Sequence, residues 1–517
     1  MAKKAVAKAK PVKKQKAAGA TQPLAAVSNR DIAGIVKDAF VQYGTETIQD
    51  RALPDFRDGL TPVQRRVIYT AFEDGLLPDR AHRKAATLVG SVMGRYHPHG
   101  DLSIYGAMVG LAHKGMKFID GMGNWGRPEL GSSVPAAAMR YIEARLTKEA
   151  VSVLFNKRYM DVTDMIPSYD GSRKEPLILP ALLPMPLVIG ARGIAVGTTT
   201  FIPAFTVESV TALTKAALSA KKPMSGSDMS KLLKIASQYG GRTVSKASDV
   251  RKVIEEGQGS IDWVCDFEHN DKAKTTTITG LCPDWKYDSA IASMRKLPEV
   301  RHVQDYSSGA NGIKIEVAYR TSLKGPELEK ARAKVEKFLG RRLSYRFNVT
   351  HRFLVEDDGI VESDANFKSV NLAEFMEDWV KWRLGLEIKA AGKIARDLEA
   401  SIRREALLLL ATKNLDALIK IIRSNKGDAA ARIKAIMKLL KATEDEAKYV
   451  LTIPIGRFDR VSEAEQKNRI AKLKADLEQA KKDIKDPRSA ALRFLPDATS
   501  SSSRSKTKRS VKTKQAA

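Results

Sequence analysis

The chain has 517 residues, and at about 150 residues per domain this length predicts three or four domains. An apolar fraction of 43% is enough to build several hydrophobic cores, and a net charge of +28 indicates a polyanionic partner. Two cysteines exclude a disulfide scaffold, and four prolines in the longest apolar run, 176–191, exclude a membrane helix.

The two ends of the chain are basic and poor in apolar side chains. Residues 1–17 carry seven lysines and no acid, and residues 498–517 carry six basic residues and no acid. This composition predicts disordered tails, which either solvate the protein or make weak non-specific contacts with DNA. The rest of the chain is also basic, so the prediction of a nucleic-acid partner does not depend on the tails.

Residues 31–114 have a helical pattern interrupted by short turns. Thr61 followed by Pro62 predicts the start of one helix, since threonine caps helix N-termini and proline suits the first turn. A second helix is predicted over about 83–95, and a third begins at Asp101. Short helices joined in this way are typical of a helix-turn-helix. The basic residues suited to phosphate contacts there are Arg80, Arg83, Lys84 and Arg95.

The middle of the chain predicts an α+β body. Residues 160–205 are rich in proline and glycine with short β-branched runs, and from about 225 to 375 strand-like alternation mixes with helices.

The C-terminal third carries two heptad stretches. Their apolar residues are Leu384, Ile388, Ala391, Ala395, Leu398 and Ile402, and then Ile470, Leu473, Leu477, Ala480 and Ile484. Roughly sixty mostly helical residues separate the two stretches. This spacing predicts an antiparallel coiled coil with a globule at its tip, and the alternative is two ordinary amphipathic helices.

Two short motifs suggest a cofactor or a metal but lack the required context. Residues 121–126, GMGNWG, match a dinucleotide-binding fingerprint, yet a loop follows where a helix would have to face the pyrophosphate. His97 and His99 lack a second cluster of zinc ligands, and the sequence contains no G-x-x-x-x-G-K-[ST] phosphate loop. We therefore predict neither a bound metal nor ATP hydrolysis for this chain.

Tyr141, with Arg140 beside it, follows that glycine-rich loop and is a candidate nucleophile for a phosphodiester. A free phenol has a pKa near 10 and is almost fully protonated at pH 7, so a neighbouring cation or metal must favour the phenolate. By spacing alone, however, Tyr141 is typical of an ordinary helix residue.

Five motifs in order change this interpretation. They are RALPDFRDGL (51–60), YHPHGD (96–101), DGMGNWG (120–126), AAMRY (137–141) and GIAVG (193–197). Together they resemble the DNA breakage-reunion subunit of type IIA topoisomerases, the family of gyrase A, topoisomerase IV A and the phage medium subunit. The resemblance covers about residues 30–490 and is strongest to the phage medium subunit.

The resemblance implies a multidomain α+β fold. Its expected parts are a disordered basic tail (1–30), a winged-helix DNA breakage-reunion domain (31–165), a tower domain (166–375), a coiled coil with a helical C-gate globule (376–488) and a second disordered basic tail (489–517).

The resemblance also implies roles for individual residues. Tyr141 is expected to be the nucleophile that becomes linked to a DNA 5′ end, and Arg140 to stabilise the scissile phosphate. Ile194 is expected to insert between base pairs and bend the DNA. The residues expected to contact DNA or line the active site are Arg51, Arg65, Arg66, His97 and His99.

The chain departs from the bacterial pattern in several places. Thr61 and Gln64 stand where the bacterial proteins usually have lysine and histidine, which weakens any claim of DNA contact there. Leu102 and Gly106 replace the serine and acidic residue that anchor quinolone drugs. We also expect no gyrase-type wrapping domain after residue 490.

The resemblance implies that two copies pair, so that two Tyr141 residues cut opposite strands of double-stranded DNA. Mg²⁺ and ATP are expected on a separate ATPase and metal-binding subunit, since the acidic run 356–358 lacks the spacing of that subunit's metal ligands. The expected activity is an isomerase, a type II topoisomerase in the cytoplasm that relaxes and decatenates DNA. The alternatives are a topoisomerase IV-like cellular A subunit and, in another class, a non-catalytic architectural DNA-binding protein.

Overall fold

The computed structural model describes residues 31–47, 51–308, 312–357, 360–424, 429–454 and 463–496, with the backbone alone over 351–367 and at residues 45, 46 and 132. The chain divides into two units, 1–45 and 46–517. Helix α1 (Ile32–Thr47) makes up almost all of the described part of the first unit. The predicted tail 1–30 and residues 497–517 of the second tail lie outside the described residues. None of the helices in the described ranges combines the length and apolar character of a membrane span.

The second unit begins with a helical region and a small sheet. Its helices are α2 (Pro62–Glu73), α3 (Ala85–Arg95), α4 (Asp101–Ala112), α5 (Lys148–Leu154) and α6 (Lys157–Met160), and its strands are β1 (Arg83–Lys84), β2 (Ile119–Met122) and β3 (Glu143–Leu146). Helices α2 to α4 share a core that includes Val67, Val89 and Ile104. The strands form an antiparallel sheet in the order β1-β3-β2. Three helices with such a sheet are the arrangement expected of a winged-helix domain.

The start of α2 is confirmed at the predicted cap. Thr61 is the N-cap, and its backbone N–H donates to Gln64 Oε1 at 3.3 Å. Thr61 and Gln64, the two departures from the bacterial pattern, therefore act together at the helix start. The second predicted helix begins two residues late, because Arg83 and Lys84 pair with β3.

The following region contains the remaining sheets. Its helices are α7 (Met185–Ile189), α8 (Val207–Ser219), α9 (Gly226–Leu232), α10 (Ala247–Glu256), α11 (Tyr287–Arg295) and α12 (Pro326–Glu336). Its strands are β4 (Met165–Pro167), β5 (Lys174–Pro176), β6 (Ala191–Ala195), β7 (Thr198–Ile202), β8 (Arg242–Thr243), β9 (Gln258–Val264), β10 (Asp266–Asn270), β11 (Thr275–Gly280), β12 (Val300–Asp305), β13 (Ile315–Tyr319), β14 (Gly340–Arg346), β15 (Asn348–Asp357) and β16 (Ile360–Ser369).

These strands confirm the predicted α+β body. The larger sheets have the orders β6-β7-β14-β9-β8 and β10-β11-β13-β12, and β4-β5 and β15-β16 are hairpins. One hydrophobic core continues from the winged-helix region into this body, and it includes Phe118, Leu183 and Trp263. The β6–β7 hairpin is therefore mounted on the same packed core as the helices that precede it.

The predicted antiparallel coiled coil is present. It pairs α13 (Leu372–Lys413) with α17 (Glu463–Lys485), and ion pairs join Glu405 to Arg469 and Glu399 to Lys481. The tip is a small helical globule of α14 (Leu415–Arg423), α15 (Ala429–Leu440) and α16 (Glu444–Thr452) around the end of α13.

The predicted seam is wrong at the end of α13 near the body. Ile388 is 44% exposed, whereas Arg383 and Glu387 are fully buried. At this level α13 packs against α6, so Tyr159 donates to Glu387 at 2.6 Å and accepts from Arg383 at 2.7 Å.

Arg158 extends this cluster, because it donates to Glu387 at 3.0 Å and contacts Asp483 of α17 at 3.1 Å. We call Arg158, Tyr159, Arg383, Glu387 and Asp483 the root cluster.

The second predicted tail begins too early. Residues 487–493 form helix α18 (Pro487–Arg493), in which Ala490 and Ala491 are buried. Arg488 donates to the carbonyl oxygens of Ala217 and Leu218 at 3.2 and 3.1 Å, so this helix is fixed to α8.

Candidate active site

Tyr141 lies in a turn rather than in a helix, which corrects the expectation from spacing alone. Its backbone N–H donates to Ala138 at 2.9 Å, and Ala85 at the start of α3 donates to Ile142 at 2.9 Å. Ile142 is buried in the core beneath the turn, whereas Tyr141 is 65% exposed. The turn therefore presents the phenol to solvent from a fixed backbone.

Arg140 lies against the phenol. Its guanidinium carbon is 4.6 Å from the centre of the Tyr141 ring. This cation–π contact orients both side chains and places a permanent positive charge over the face of the Tyr141 ring. An anion that approaches Tyr141 therefore also meets Arg140.

The glycine-rich loop 121–126 supports this turn by packing. A Cβ atom at Gly121 would lie 2.2 Å from Nε1 of the buried Trp125, and one at Gly126 would lie 2.5 Å from Ala136 N. Asn124 accepts the N–H of Ala137 at 2.9 Å. A short 3₁₀ segment, Pro128–Ser133, follows where a dinucleotide site would need a long helix. The glycines thus serve close packing, in agreement with the rejection of a cofactor site.

Two histidines and an arginine form a second polar group. The His97 and His99 rings lie 4.5 Å apart, and Arg66 lies 3.0 Å from His97 Nδ1. Burial, the charge of Arg66 and then His99 lower the pKa of His97 to about 4, so His97 is neutral at pH 7. Because arginine only donates, Nδ1 must accept, and His97 carries its proton on Nε2.

Arg66 is positioned by a residue that sequence reasoning missed. Glu175 on β5 accepts from its Nε and NH2 at 2.7 and 2.8 Å. Glu175 is more than a hundred positions away from Arg66 in the sequence. Its only local signal is that a proline and an apolar run follow it.

Arg65 is placed differently from Arg66, and its geometry argues against the expected DNA contact. It is buried and makes a bidentate ion pair with Asp58, at 2.6 and 2.9 Å. Asp58 is also buried and accepts the N–H groups of Leu60 and Leu179 at 3.0 Å. Arg65 therefore stabilises the fold beneath the site.

Ile194 is 76% exposed near the tip of the β6–β7 hairpin. The hairpin lies close to the segment that begins at Arg51, because a Cβ atom at Gly193 would lie 2.0 Å from Ala52 O. Only glycine allows this approach. The fold thus brings exposed Arg51 and Ile194 onto neighbouring segments.

Leu102 and Gly106 lie one turn apart on α4 and are both exposed. Among the described residues, no group of three His, Cys, Asp or Glu side chains is arranged to hold a metal ion. The side chains of the acidic run 356–358 lie outside the described set.

Comparison with known proteins gives the relatives of this chain. Residues 51–493 match the family model for the A subunit of DNA gyrase/topoisomerase IV. The chain is 30% identical over 455 residues to the A subunit of DNA topoisomerase 4 from Pseudomonas aeruginosa, covering 85% of this chain and 57% of that protein. It is 31% identical over 458 residues to the A subunit of DNA gyrase from Staphylococcus aureus, covering 84% of this chain and 48% of that protein. The chain thus spans about half the length of the curated relatives it matches.

Proposed function

Because the chain belongs to the family of the DNA gyrase and topoisomerase IV A subunits, we propose that it cleaves and reseals DNA within a type II topoisomerase. The observation that carries this proposal is the exposed Tyr141 with the guanidinium of Arg140 against its ring. Exposure allows a duplex to reach the phenol, and the adjacent cation suits a phosphodiester anion.

In the proposed reaction the Tyr141 oxygen attacks the phosphorus of a DNA phosphodiester. A bond forms between this oxygen and phosphorus, the bond to the 3′ oxygen breaks, and the phenolic proton is lost as the 3′ oxygen gains one. Arg140 stabilises the negative charge on the phosphate during the transfer. The phosphotyrosine ester keeps the bond energy, so the 3′ hydroxyl reverses the step without an external energy source.

The polar group around His97 serves to hold the DNA backbone. His97 is largely buried, but unlike Arg65 it keeps an N–H that is not engaged in an ion pair. Because it is neutral with its proton on Nε2, we propose that it donates to a phosphate oxygen without adding a second charge beside Arg66. Arg51 adds a positive charge near the hairpin. The exposed Ile194 acts as an apolar wedge between base pairs, which bends the bound duplex.

A double-strand break needs two nucleophiles, and each chain offers one at this site. We therefore propose a homodimer in which two Tyr141 residues act on opposite strands. ATP and Mg²⁺ are assigned to an ATPase and metal-binding partner subunit, and no step is assigned to a metal held by this chain. This chain itself contributes the Tyr141 nucleophile, the positive charge of Arg140 and the apolar side chain of Ile194.

The test uses Tyr141→Phe, which keeps the ring and removes only the oxygen. Wild type with partner subunit, Mg²⁺ and plasmid DNA should yield covalent protein–DNA adducts after denaturation, and peptide mapping should place them on Tyr141. The variant should yield none while binding DNA as wild type does. Tyr306→Phe, at another exposed tyrosine, is the matched control and should cleave normally.

Adducts that persist in Tyr141→Phe would overturn the assignment of the nucleophile. Absence of adducts in every protein, with DNA binding intact, would favour the non-catalytic architectural alternative.

A further inference from the structure

A cavity of about 290 Å³ lies apart from the DNA-cleaving turn, at the base of the β6–β7 hairpin. Its walls come from five segments: the turn after α4, the hairpin, the loop 235–240, the turn 281–284 and strand β14. Three aromatic side chains line it, and two of them, Phe201 and Tyr345, are stacked with ring centres 4.9 Å apart. The third is Tyr239. This size and lining suit one small flat molecule.

Lys114 gives the cavity an uncompensated positive charge. Lys114 lines the cavity, and its side chain has no ion pair or hydrogen bond with any of the described residues. Burial without a partner lowers the pKa of Lys114 to about 8, so most of it is still protonated at pH 7. A half-buried ammonium without an anion is unusual, because desolvation is normally offset by a counter-charge.

The other cation in the cavity wall, Arg192, shares one carboxylate with Arg341, which lies beside the cavity. Arg192 forms an ion pair with Asp284, and Arg341 reaches the second oxygen of Asp284 at 3.3 Å. Asp284 has a left-handed backbone conformation with a φ of 60°. A ligand in the cavity therefore meets one free cation, Lys114, and one carboxylate that is already paired.

The segment that carries Lys114 is fixed to the opposite wall. The side-chain amide of Gln238 donates to His113 O and lies 3.0 Å from Tyr239 Oη. Leu281 donates to Tyr239 O at 2.9 Å, which joins this wall to the turn of Asp284. The cavity is thus preformed, and a ligand would lose little free energy in ordering it.

We propose that this cavity binds a small aryl carboxylate, with its carboxylate on Lys114 Nζ and its ring among Phe201, Tyr239 and Tyr345. A single negative charge matches the single free cation. This inference is independent of the proposed DNA cleavage, since none of these side chains belongs to the site around Tyr141.

The test measures binding of benzoate to the full-length protein by ligand-observed NMR and calorimetry. Benzamide, which has the same shape without the charge, and phenyl phosphate, which adds a charge, are the comparison ligands. Benzamide should bind at least about tenfold more weakly than benzoate, and phenyl phosphate should bind no more tightly than benzoate.

Three variants separate the site from the rest of the surface. Lys114→Met removes the cation and keeps the stem, and it should weaken benzoate by about tenfold or more. Ala236→Phe fills the cavity, keeps Lys114 and should also abolish binding. Lys117→Met makes the same charge change at an exposed lysine nearby and should bind as wild type does. Thermal unfolding of each variant confirms that it is folded.

Several outcomes would overturn the proposal: no binding of benzoate up to about 10 mM, equal binding of benzamide, or equal losses in Lys114→Met and Lys117→Met. Tighter binding of phenyl phosphate than of benzoate would show that the cavity prefers a phosphate to a carboxylate. Binding that survives Ala236→Phe would place the ligand elsewhere.

Discussion

Replacing Arg65 by methionine should destabilise the protein without removing a DNA contact. The side chain is buried, and its loss leaves Asp58 buried with two backbone N–H donors but no counter-charge. Removing one partner of a buried ion pair typically costs about 3–5 kcal/mol. Part of this is offset because methionine fills the volume of the arginine stem, so the lower half of that range is expected. Equilibrium urea unfolding followed by far-UV circular dichroism measures the change.

A second substitution tests the physical cause. Asp58→Asn in the Arg65→Met background removes the unpaired charge while keeping an acceptor for the Leu60 and Leu179 amides. The double variant should therefore have a free energy of unfolding close to that of Arg65→Met alone. In the wild-type background, by contrast, Asp58→Asn should be strongly destabilising. Additive losses would contradict the ion-pair explanation.

DNA binding is measured separately as the dependence of affinity on salt concentration. Arg65→Met should leave the slope unchanged. Arg80→Met, at an exposed arginine, is the matched control and should reduce the slope by about one if that residue contacts a phosphate. The reasoning is refuted if Arg65→Met lowers the slope while its free energy of unfolding stays that of wild type.

Three further predictions concern the hairpin, α4 and the cavity. Gly193→Ala should destabilise by about 1–3 kcal/mol and reduce cleavage, because its Cβ would meet Ala52 O; unchanged unfolding and cleavage would contradict this. Quinolones should stimulate cleavage poorly in wild type, and Leu102→Ser with Gly106→Asp should increase drug-induced cleavage at least about tenfold in a drug titration. Lys114→Met should stabilise at pH 7 by about 1–3 kcal/mol, since the depressed pKa penalises the charged form. That gain should shrink as the pH rises from about 8 towards 10.5, where the unfolded chain also loses its proton, and a gain independent of pH would refute it.

Local signals in the sequence were sufficient where neighbours in the chain decide the structure. The cap at Thr61 and the heptads around Leu477 depend on residues within one or two turns, and both are present in the fold. The adjacent Arg65 and Arg66 could not be distinguished in this way. One pairs with Asp58 inside the core and the other with Glu175 at its edge, and only the tertiary fold sets which side of α2 faces inward.

The candidate nucleophile illustrates the same limit. Residue spacing alone favoured a helix at Tyr141, because nothing in AAMRY marks a turn. Its position is set by backbone bonds to the start of α3, some fifty residues earlier in the chain. The motifs identified the residue, and the contacts explain why its oxygen is accessible. In the same way, the charge of Lys114 became informative only when the structure showed that none of the described carboxylates forms an ion pair with it.

The root cluster has a mechanical consequence for the coiled coil. Sliding α17 along α13 by one heptad would move Asp483 about 10 Å away from Arg158 and leave buried charges without partners. The two helices therefore cannot change register where they join the body. At the far end the pairs between Glu405 and Arg469 and between Arg403 and Glu446 are partly exposed, and solvent can replace them at little cost. The pairing of the two helices is therefore fixed at the base of the arm, and rearrangement of their contacts costs least toward the tip.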